Sequence, residues 1–570
     1  MGNFLKTQNV FSRGEISSDF YALNNNNAVA KLENIDVLQS GGLKRRKGLK
    51  KIAIVPYKSI LVPFQISENE KYLLVIYRGG MDIYQNDVKI ENVVSPWTEN
   101  DLDKIQYVQR FNSIFFVHPD YQPRILTKDE NGFKMSYFNF YLNSDMSMNI
   151  PFKRFDDTEG VTFTMSASSL DNNHALFTAN VDFWDKQFVG QRFLINDKQW
   201  ILTSIQNKRV AELYTNKDFS IVTTPITQWY EEEFNEKRGW PACICFHQNR
   251  LVFGCTASAP NNIWMSKVGD YTNFDVGTGL DDEAIFLTLL SAQHHQICNI
   301  VSSDKLQILT SVGEWAISSS PLSPSNVDIK QHTSVGSVSK LVLPPQQIEG
   351  ATVFISESGT DIRELDLDDL GENYNATDLC VASKHLMKQP ISVAYNQHTH
   401  QLFVVMHAGN MAVLNKYINT DISAWANYKT DGEIQYVGVL DNETYVVVKR
   451  DDVLYLEKFD EDYLSDSDNY DFSYTVSALP MITNGHTPRK IRARKISLRV
   501  KDTKSVFING YRCEIPNDVY ENGHIGYSGD LSMNLLGTQR DTMQPLWTIS
   551  SNEQLPATIL SVTVDGWYQV

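Results

Sequence analysis

A repeated β-hairpin constrains this sequence more than any other feature. Each copy has an apolar run, a short polar or glycine turn and a second run of alternating apolar residues, a pattern typical of β-strands. The copies begin at Lys71, Ser113, Asn249, Leu306, Thr352, Gln401 and Thr444. All but one of the intervals between successive copies lie near the 40 to 50 residues of a four-stranded propeller blade. The repeat therefore predicts an all-β fold with a roughly seven-bladed β-propeller.

The interval between the copies at Ser113 and Asn249 predicts an insertion, because it exceeds one blade by about 90 residues. Two strand-like runs inside it, VGQRFLIND and KQWILTSIQ, indicate a small β-rich domain. A short helix is predicted at 377–388, and alternating strands return after 490. The predicted division is an N-terminal arm with the first strands at 1–55, the propeller at 56–127 and 239–460, the inserted domain at 128–238, and an acidic linker with a C-terminal β domain at 461–570.

The acidic linker begins with six carboxylates between Asp460 and Asp471. Asp466, Asp468 and Asp471 have a spacing that resembles part of a calcium loop. The glycine and the terminal glutamate of an EF-hand are missing, however. We therefore expect a solvated loop without a metal.

Charge excludes one class of function. The chain has 51 basic and 68 acidic residues and a net charge of −17, which argues against wrapping by nucleic acid. Two basic clusters interrupt this background, KRRKGLKK and RKIRARKISLRVK. We expect Arg45 and Arg46 in the first cluster, and Arg492 and Arg494 in the second, to contact acidic residues of a neighbouring subunit rather than DNA.

Compartment signals are few. No apolar stretch approaches the roughly 18 residues of a membrane span, and the N-terminus lacks the pattern of a secretory signal. The six cysteines are scattered, which predicts reduced thiols. Cys243 and Cys245 are two residues apart, which favours a buried pair on one strand face over metal ligation.

Motifs of common enzyme classes are absent from the sequence. It contains no GxxxxGK[ST] loop, HExxH helix or GxSxG elbow. Carboxylates near turns, such as Asp281 with Asp282 and Asp361 with Glu364, are candidates for glycoside hydrolysis only by position. We expect no catalytic residue, cofactor or metal. The alternative from another class is a propeller glycosidase or lectin acting on host polysaccharide, suggested by the blades, ten tryptophans and many aspartates.

The segment at 239–285 carries a dense pattern of residues. It contains Gly-Trp-Pro, Arg-Leu-Val-Phe, Ile-Trp-x-Ser, Gly-Asp-Tyr and Asn-Phe. This resembles the tail nozzle proteins of short-tailed bacteriophages and their prophage relatives, also called tail tubular protein B. The matched residues that we single out are Gly239, Trp240, Pro241, Arg250, Trp264, Asp270, Tyr271 and Phe274, followed by Gly313 and Trp315 in SVGEWAIS. The opening FSRGEIS also resembles the family, with Arg13 in place of its usual glycine, and so does PRKIRARKISLRV after Gly485.

The resemblance implies a structural virion protein and no catalytic residues. It implies a ring, hexameric in relatives, that lies below an adaptor ring and carries the DNA exit channel. Partners would be further copies of the chain, the tail adaptor and tail fibre or spike proteins. DNA would pass without sequence-specific binding, no membrane would be entered, and the virion tail would assemble in the bacterial cytoplasm. The matched glycine, prolines and tryptophans would then serve turns and packing between blades.

Overall fold

A computed structural model describes residues 2–21, 27–339, 342–368, 371, 373–467, 470–482, 488–516, 526–539 and 544–569. The chain forms two compact units. Unit 1 contains residues 1–102 and 343–570, and unit 2 contains residues 103–342. Gly485 and Asp468, which the sequence analysis used, lie outside the described residues.

Seven groups of four antiparallel strands have the arrangement of propeller blades, and each contains one of the seven predicted hairpins. Six are separate four-stranded sheets, and the four strands of blade 6 belong to an eleven-stranded sheet. Unit 2 holds blade 2 (Gln106–Arg110, Ser113–His118, Tyr121–Asp129, Gly132–Tyr137), blade 3 (Cys243–His247, Arg250–Gly254, Asn262–Met265, Ile285–Thr288) and blade 4 (Ile297–Ser302, Leu306–Thr310, Gly313–Ile317, Ile329–Thr333). Unit 1 holds blade 1 (Ser59–Gln65, Lys71–Tyr77, Gly80–Gln85, Val88–Val94), blade 5 (Gln346–Ile348, Ala351–Ile355, Ile362–Leu367, Tyr374–Asp378), blade 6 (Pro390–Asn396, Gln401–Met406, Met411–Tyr417, Ile422–Tyr428) and blade 7.

Blade 7 is completed by a strand from the other end of the chain. Its first three strands are Glu433–Leu440, Glu443–Arg450 and Val453–Asp460, and its fourth is Gly48–Val55. We call Gly48–Val55 the closing strand.

Tight turns and buried first strands explain why the hairpins form. Asn86 with Asp87 and Asp451 with Asp452 have positive φ values, which Asn and Asp tolerate in two-residue hairpin turns. In unit 2 the first strands of blades 2, 3 and 4 pack in sequence, and in unit 1 those of blades 5, 6, 7 and 1 do so. The all-β propeller-type fold with an inserted and a C-terminal β domain is confirmed.

The insertion forms one seven-stranded sheet. Its strands, in spatial order, are Phe152–Lys153, Trp229–Glu232, Arg192–Ile195, Lys198–Ile205, Val210–Tyr214, His174–Ala179 and Phe163–Ala167. Blade 2 continues to Tyr137, so the predicted boundary at 128 falls inside a blade strand and is corrected to about 152. The last strand of blade 2, Gly132–Tyr137, is not apparent from the sequence, because its apolar pattern merges with that of the insertion.

The C-terminal β domain also contains the N-terminus, which corrects the prediction of a separate arm at 1–55. Its terminal sheet has the order Tyr527–Asn534, Lys490–Thr503, Thr558–Gln569, Leu43–Arg45 and Ile35–Val37, with Gly2–Gln8 paired to Thr558–Gln569. A second group of strands extends blade 6 from Ile422–Tyr428. It contains Lys31–Glu33, Tyr474–Ser477, Thr548–Ser551, Phe507–Ile508, Tyr511–Arg512, Gly14–Glu15 and Ala28–Val29.

Helices in the described residues are short 3-10 turns. They are Ser18–Phe20, Leu102–Lys104, Asp156–Thr158, Lys186–Phe188, Val381–Leu386 and Ile418–Thr420. The helix predicted at 377–388 is therefore wrong in its first half, where Tyr374–Asp378 is the outer strand of blade 5. Among the described residues, no helix has the length and apolar character needed to cross a membrane.

Candidate functional site: buried arginine contacts and a cysteine-lined cavity

Arg250 ties blade 3 to the loop after the third strand of blade 4. It is fully buried at the start of the second strand of blade 3, Arg250–Gly254. Its guanidinium donates to four main-chain carbonyls, those of Ser266 at 2.8 Å, Asp281 at 2.8 Å, Glu283 at 2.5 Å and Leu322 at 3.4 Å. A planar donor with several N–H groups suits such carbonyls, which would otherwise be unsatisfied. The arrangement fixes loops and contacts no reactive group.

The loop held by Arg250 is fixed a second time by Glu283. The Glu283 carboxylate accepts from the main-chain N–H groups of Thr278, Gly279 and Leu280 at 2.6 to 2.8 Å. These hydrogen bonds lower the pKa of Glu283. The Glu283 carboxylate therefore holds the loop at 278–283 in one conformation.

The matched Gly-Trp-Pro segment serves packing within unit 2. Gly239 has φ +90°, and a Cβ there would lie 2.9 Å from Ala257 Cβ, so only glycine fits without a shift. Pro241 is buried beside it, and Trp240 packs against the aromatic cluster of blades 2 and 3. Trp264 is buried, and its Nε1 donates to Glu233 at 2.7 Å.

The remaining matched residues are also structural. Phe274 stacks on Phe253 with ring centroids 5.2 Å apart, and Tyr271 packs edge-on against Phe246. Asp270 accepts from the Thr272 N–H and hydroxyl, which closes a turn.

Gly313 and Trp315 lie on the third strand of blade 4. A Cβ at Gly313 would lie 2.6 Å from the Thr333 carbonyl oxygen. Trp315 stacks on His295, with 6.3 Å between ring centroids and 19° between planes.

Three of the four candidate carboxylates are engaged in ion pairs, and Asp281 accepts from the Ser325 hydroxyl at 3.3 Å. Asp282 lies 2.9 Å from Lys267, and Asp361 lies 2.7 Å from Lys384. Glu364 forms a close pair with Lys416. These contacts explain charged turns and build no acid–base pair.

A possible metal cluster in blade 5 is similarly occupied by a cation. Asp361, Asp378 and Cys380 could reach one ion. Lys384 Nζ already contacts both carboxylates, at 2.7 and 3.3 Å. Burial raises the pKa of the Cys380 thiol to about 12.

Arg45 and Arg46 correct a prediction, because both are buried inside the chain rather than exposed to a neighbour. Arg45 ends the strand Leu43–Arg45 of the terminal sheet and Arg46 follows it, a placement that the sequence could not indicate. Arg45 contacts the Phe472 ring, with its guanidinium carbon 4.1 Å from the centroid.

Arg46 is the most extensively bonded of these side chains. Its Nε donates to Asn34 Oδ1 at 2.9 Å, and its two Nη atoms donate to Asp466 at 2.8 and 2.5 Å. Further bonds go to the carbonyls of Lys47 at 2.8 Å and Lys429 at 2.9 Å. Asp466 is also fully buried, so the predicted solvated linker contains a structural ion pair.

Arg492 and Arg494 lie on the terminal sheet. Arg494 is half exposed and donates to Asp565 at 2.8 Å, whereas Arg492 is partly buried. Of the four basic residues predicted at a subunit contact, Arg494 is the most exposed.

A cavity of about 290 Å³ in unit 2 is lined by three cysteines, which the sequence analysis did not connect. Cys243, Cys255 and Cys298 border it, together with Gln106, whose Nε2 donates to the Cys298 carbonyl at 2.8 Å. Burial raises the pKa of Cys243 well above its ordinary value and that of Cys255 to about 12. Cys243 and Cys255 therefore face the cavity as neutral thiols.

These thiols should react slowly in the native protein. At pH 8 we expect Cys243 and Cys255 to react with a disulfide reagent at least ~100-fold more slowly than free cysteine, because the thiolate is the nucleophile. Stopped-flow absorbance with DTNB would measure the rates, and denaturation should release all six thiols. Rapid modification of Cys243 in folded protein, located by mass spectrometry, would contradict the burial.

Glu232 gives the insertion a pH dependence. Burial raises its pKa to about 7, against an ordinary value of 4.5, although the Arg192 N–H donates to it at 3.0 Å. Because the folded-state pKa is raised, protonated Glu232 contributes to the free energy of unfolding. This contribution is fully present below about pH 4.5 and is lost as the pH rises through about 7. In the wild type the free energy of unfolding should fall by on the order of 2 kcal/mol more between pH 5 and 8 because of Glu232, and Glu232→Gln should abolish this fall. Urea unfolding across this range, with the exposed Glu159→Gln as control, would test it; equal slopes in both variants would refute it.

Tryptophan placement bears on carbohydrate binding. Seven of the ten tryptophans are buried, and Trp240, Trp315 and Trp567 are partly buried. None is exposed as a platform on which a sugar ring could stack.

The sequence of this chain matches a known protein family. The family described as "Bacteriophage nozzle protein" matches residues 242–506. These residues include blades 3 to 6, the first three strands of blade 7 and the start of the C-terminal domain. This confirms the resemblance drawn from the residues between Gly239 and Trp315. No curated protein matches.

Solved structures match this chain at low similarity. BamB from Moraxella catarrhalis is 10% identical over 72% of this chain and 97% of its own, with a TM-score of 0.35. Raptor from Chaetomium thermophilum is 9% identical over 73% of this chain and 29% of its own, with a TM-score of 0.36. The Pan2 WD40 domain from Neurospora crassa is 10% identical over 73% of this chain and 94% of its own, with a TM-score of 0.28.

Proposed function

We propose that this chain, a relative of the bacteriophage nozzle proteins, is a protomer of a phage tail ring that extends the DNA exit channel and takes part in genome retention and ejection. The family match over residues 242–506 supports a structural protein of the phage tail. In the proposed role, copies of the chain form a closed ring, six in number as in relatives. The ring would attach to the tail adaptor, contact fibre or spike proteins and assemble in the bacterial cytoplasm.

One observation carries the proposal beyond the family match. Arg250, within the matched residues, fixes the backbone through hydrogen bonds to four carbonyls. Gly239, just before them, allows a tight approach to Ala257. A charged arginine whose two Nη atoms donate to main-chain carbonyls suits a mechanical element better than a catalytic one. The chemistry of ejection would then lie in contacts between copies and not in bond breaking.

The acidic balance fits passage of DNA. A net charge of −17 per chain repels phosphate, so a duplex should slide past such a surface instead of binding. Salt-resistant, tight DNA binding by the isolated protein would contradict this part of the proposal.

The decisive experiment is to determine the assembly state and its shape. Purified full-length protein, alone and with the portal–adaptor complex of its phage, should give rings with a central opening in negative-stain images and native mass spectra. Hydrolysis of host polysaccharide, lost on mutation of one Asp or Glu, together with a protein that never assembles, would favour the glycosidase alternative.

A further inference from the structure

The terminal sheet presents one face that the described residues leave open. On the strand Lys490–Thr503, Ile496, Leu498 and Val500 are buried, and the alternate residues point the other way. We call this other side the basic face. It consists of Lys495, Ser497, Arg499 and Lys501, with Ser532 and Asp530 on one neighbouring strand, Thr563 and Asp565 on the other, and Leu5 and Thr7 beyond. Arg494 lies at a register shift between Ala493 and Lys495 and joins the face through its contact with Asp565.

The face is positively charged within an acidic chain. Arg499 pairs with Asp530 at 2.9 and 3.0 Å, and Arg494 pairs with Asp565 at 2.8 Å. Lys495 and Lys501 are exposed and have no ion-pair partner among the described residues. Four cations and two carboxylates leave +2 on the face, so the rest of a chain of net charge −17 carries −19.

The composition of the face suits protein better than DNA. Thr7, Thr563, Ser497 and Ser532 form one row across four strands, and Thr7 Oγ1 lies 3.0 Å from Thr563 Oγ1. Leu5, 74% exposed, stands in the next row opposite Asp565. Arg494 and Arg499 are already paired with carboxylates, which leaves less positive charge for phosphate. The exposed Leu5 adds apolar area that a protein partner can bury.

The size of the face fits part of a stable contact. Seven residues along the strand and four strands across cover roughly 400 Å² at the usual strand rise and spacing. Each partner in a standard interface buries about 800 Å². The face would therefore form about half of one side of such a contact.

From these observations we propose that the basic face docks onto an acidic surface of a second copy of this chain. The inference rests on the proposed ring and names the surface by which one copy holds the next. Charge complementarity carries it, because a copy with −19 outside this face must offset its own repulsion at the contact. The unpaired Lys495 and Lys501 are the cations free to pair with the neighbour.

Charge reversal tests the proposal on the full chain. Lys495→Glu with Lys501→Glu should raise the concentration for half-assembly at least tenfold in sedimentation velocity, with an unchanged circular dichroism spectrum. The milder Lys495→Ala with Lys501→Ala should raise it in the same direction and guards against misfolding. The control is Lys198→Glu with Lys217→Glu on the insertion, which should assemble like the wild type. Assembly of wild-type protein should also weaken with salt in the range 0.05 to 0.5 M, roughly as screening predicts.

Three outcomes would overturn the proposal in different ways. A reversed protein that assembles at the wild-type concentration shows that the ring forms through another surface and leaves the proposed function intact. A reversed protein that assembles normally but loses affinity for a fluorescent duplex identifies the face as a DNA site. A wild-type protein that stays monomeric, with or without the adaptor, removes both this inference and the proposed ring.

Discussion

Replacing Arg46 with methionine should lower the free energy of unfolding by about 3–5 kcal/mol, because the change leaves the buried Asp466 carboxylate without its cation. The Arg46 side chain is 2% exposed and Asp466 is 0% exposed. Water therefore cannot replace the lost contact. The same change also removes donors to Asn34 and to the Lys429 carbonyl, which join the start of the chain to blade 6. Urea-induced unfolding followed by tryptophan fluorescence would measure the loss.

The adjacent residue supplies a matched control. Lys47 pairs with Glu461 at 3.0 Å, but their side chains are 34% and 69% exposed. Lys47→Met should therefore cost no more than about 1 kcal/mol. Adding Asp466→Leu to Arg46→Met should recover part of the stability, since no buried charge is then left alone. Equal effects at Arg46 and Lys47 would show that the buried pair contributes nothing special.

Removing residues 156–229 and joining the ends with a short Gly/Ser linker should leave blades 2, 3 and 4 folded. Phe152 pairs directly with Glu232, and Lys153 with Glu231, so the two ends of the insertion already lie side by side. The core of the insertion, built around Phe163, Trp200 and Trp229, is also a cluster separate from that of blades 2 and 3. Hydrogen exchange of residues 106–137 would report the state of blade 2.

A deletion at the boundaries taken from the sequence makes the contrast. Removing 128–238 takes away Gly132–Tyr137, the end of Tyr121–Asp129 and the Glu233 partner of Trp264. We expect that protein to lose protection throughout blade 2 and to unfold without a cooperative transition. If both deletions behave alike, the insertion is part of the fold of its unit and the division at about 152 is wrong.

Local pattern explains why the blades could be predicted and their partners could not. A run such as QLFVVM followed by a turn states that a hairpin forms, because alternation and turn chemistry act over a few residues. Nothing local states that Gly48–Val55 pairs with Val453–Asp460, since that choice depends on which edge is free in the folded chain. The seven hairpins were therefore predictable, and the closing strand was not.

The buried arginines show the same limit for the site. A KRRK run has the pattern of a solvated surface, and its neighbours give no sign that Asp466, 420 residues away, is its counter-ion. Arg494 carries a similar pattern and is half exposed. Burial of a charge depends on a partner that is distant in sequence. Composition alone therefore placed both basic clusters at a subunit contact, whereas in the structure Arg46 is buried and Arg494 is half exposed. The resemblance singled out Arg250, but its carbonyl partners, such as those of Ser266 and Asp281, emerge only in three dimensions.

The closing strand sets an order of events during synthesis. About 400 residues separate Gly48–Val55 from its partner Val453–Asp460, which at roughly 5–20 residues per second is a delay of some 20–80 s on the ribosome. Unit 2, continuous from 103 to 342, can complete its sheets within that time. The N-terminal strands must wait with open edges, the state in which β-proteins aggregate. Nascent chains should therefore need chaperone protection until the last blade emerges, and the terminal sheet cannot be complete before Thr558–Gln569 is made.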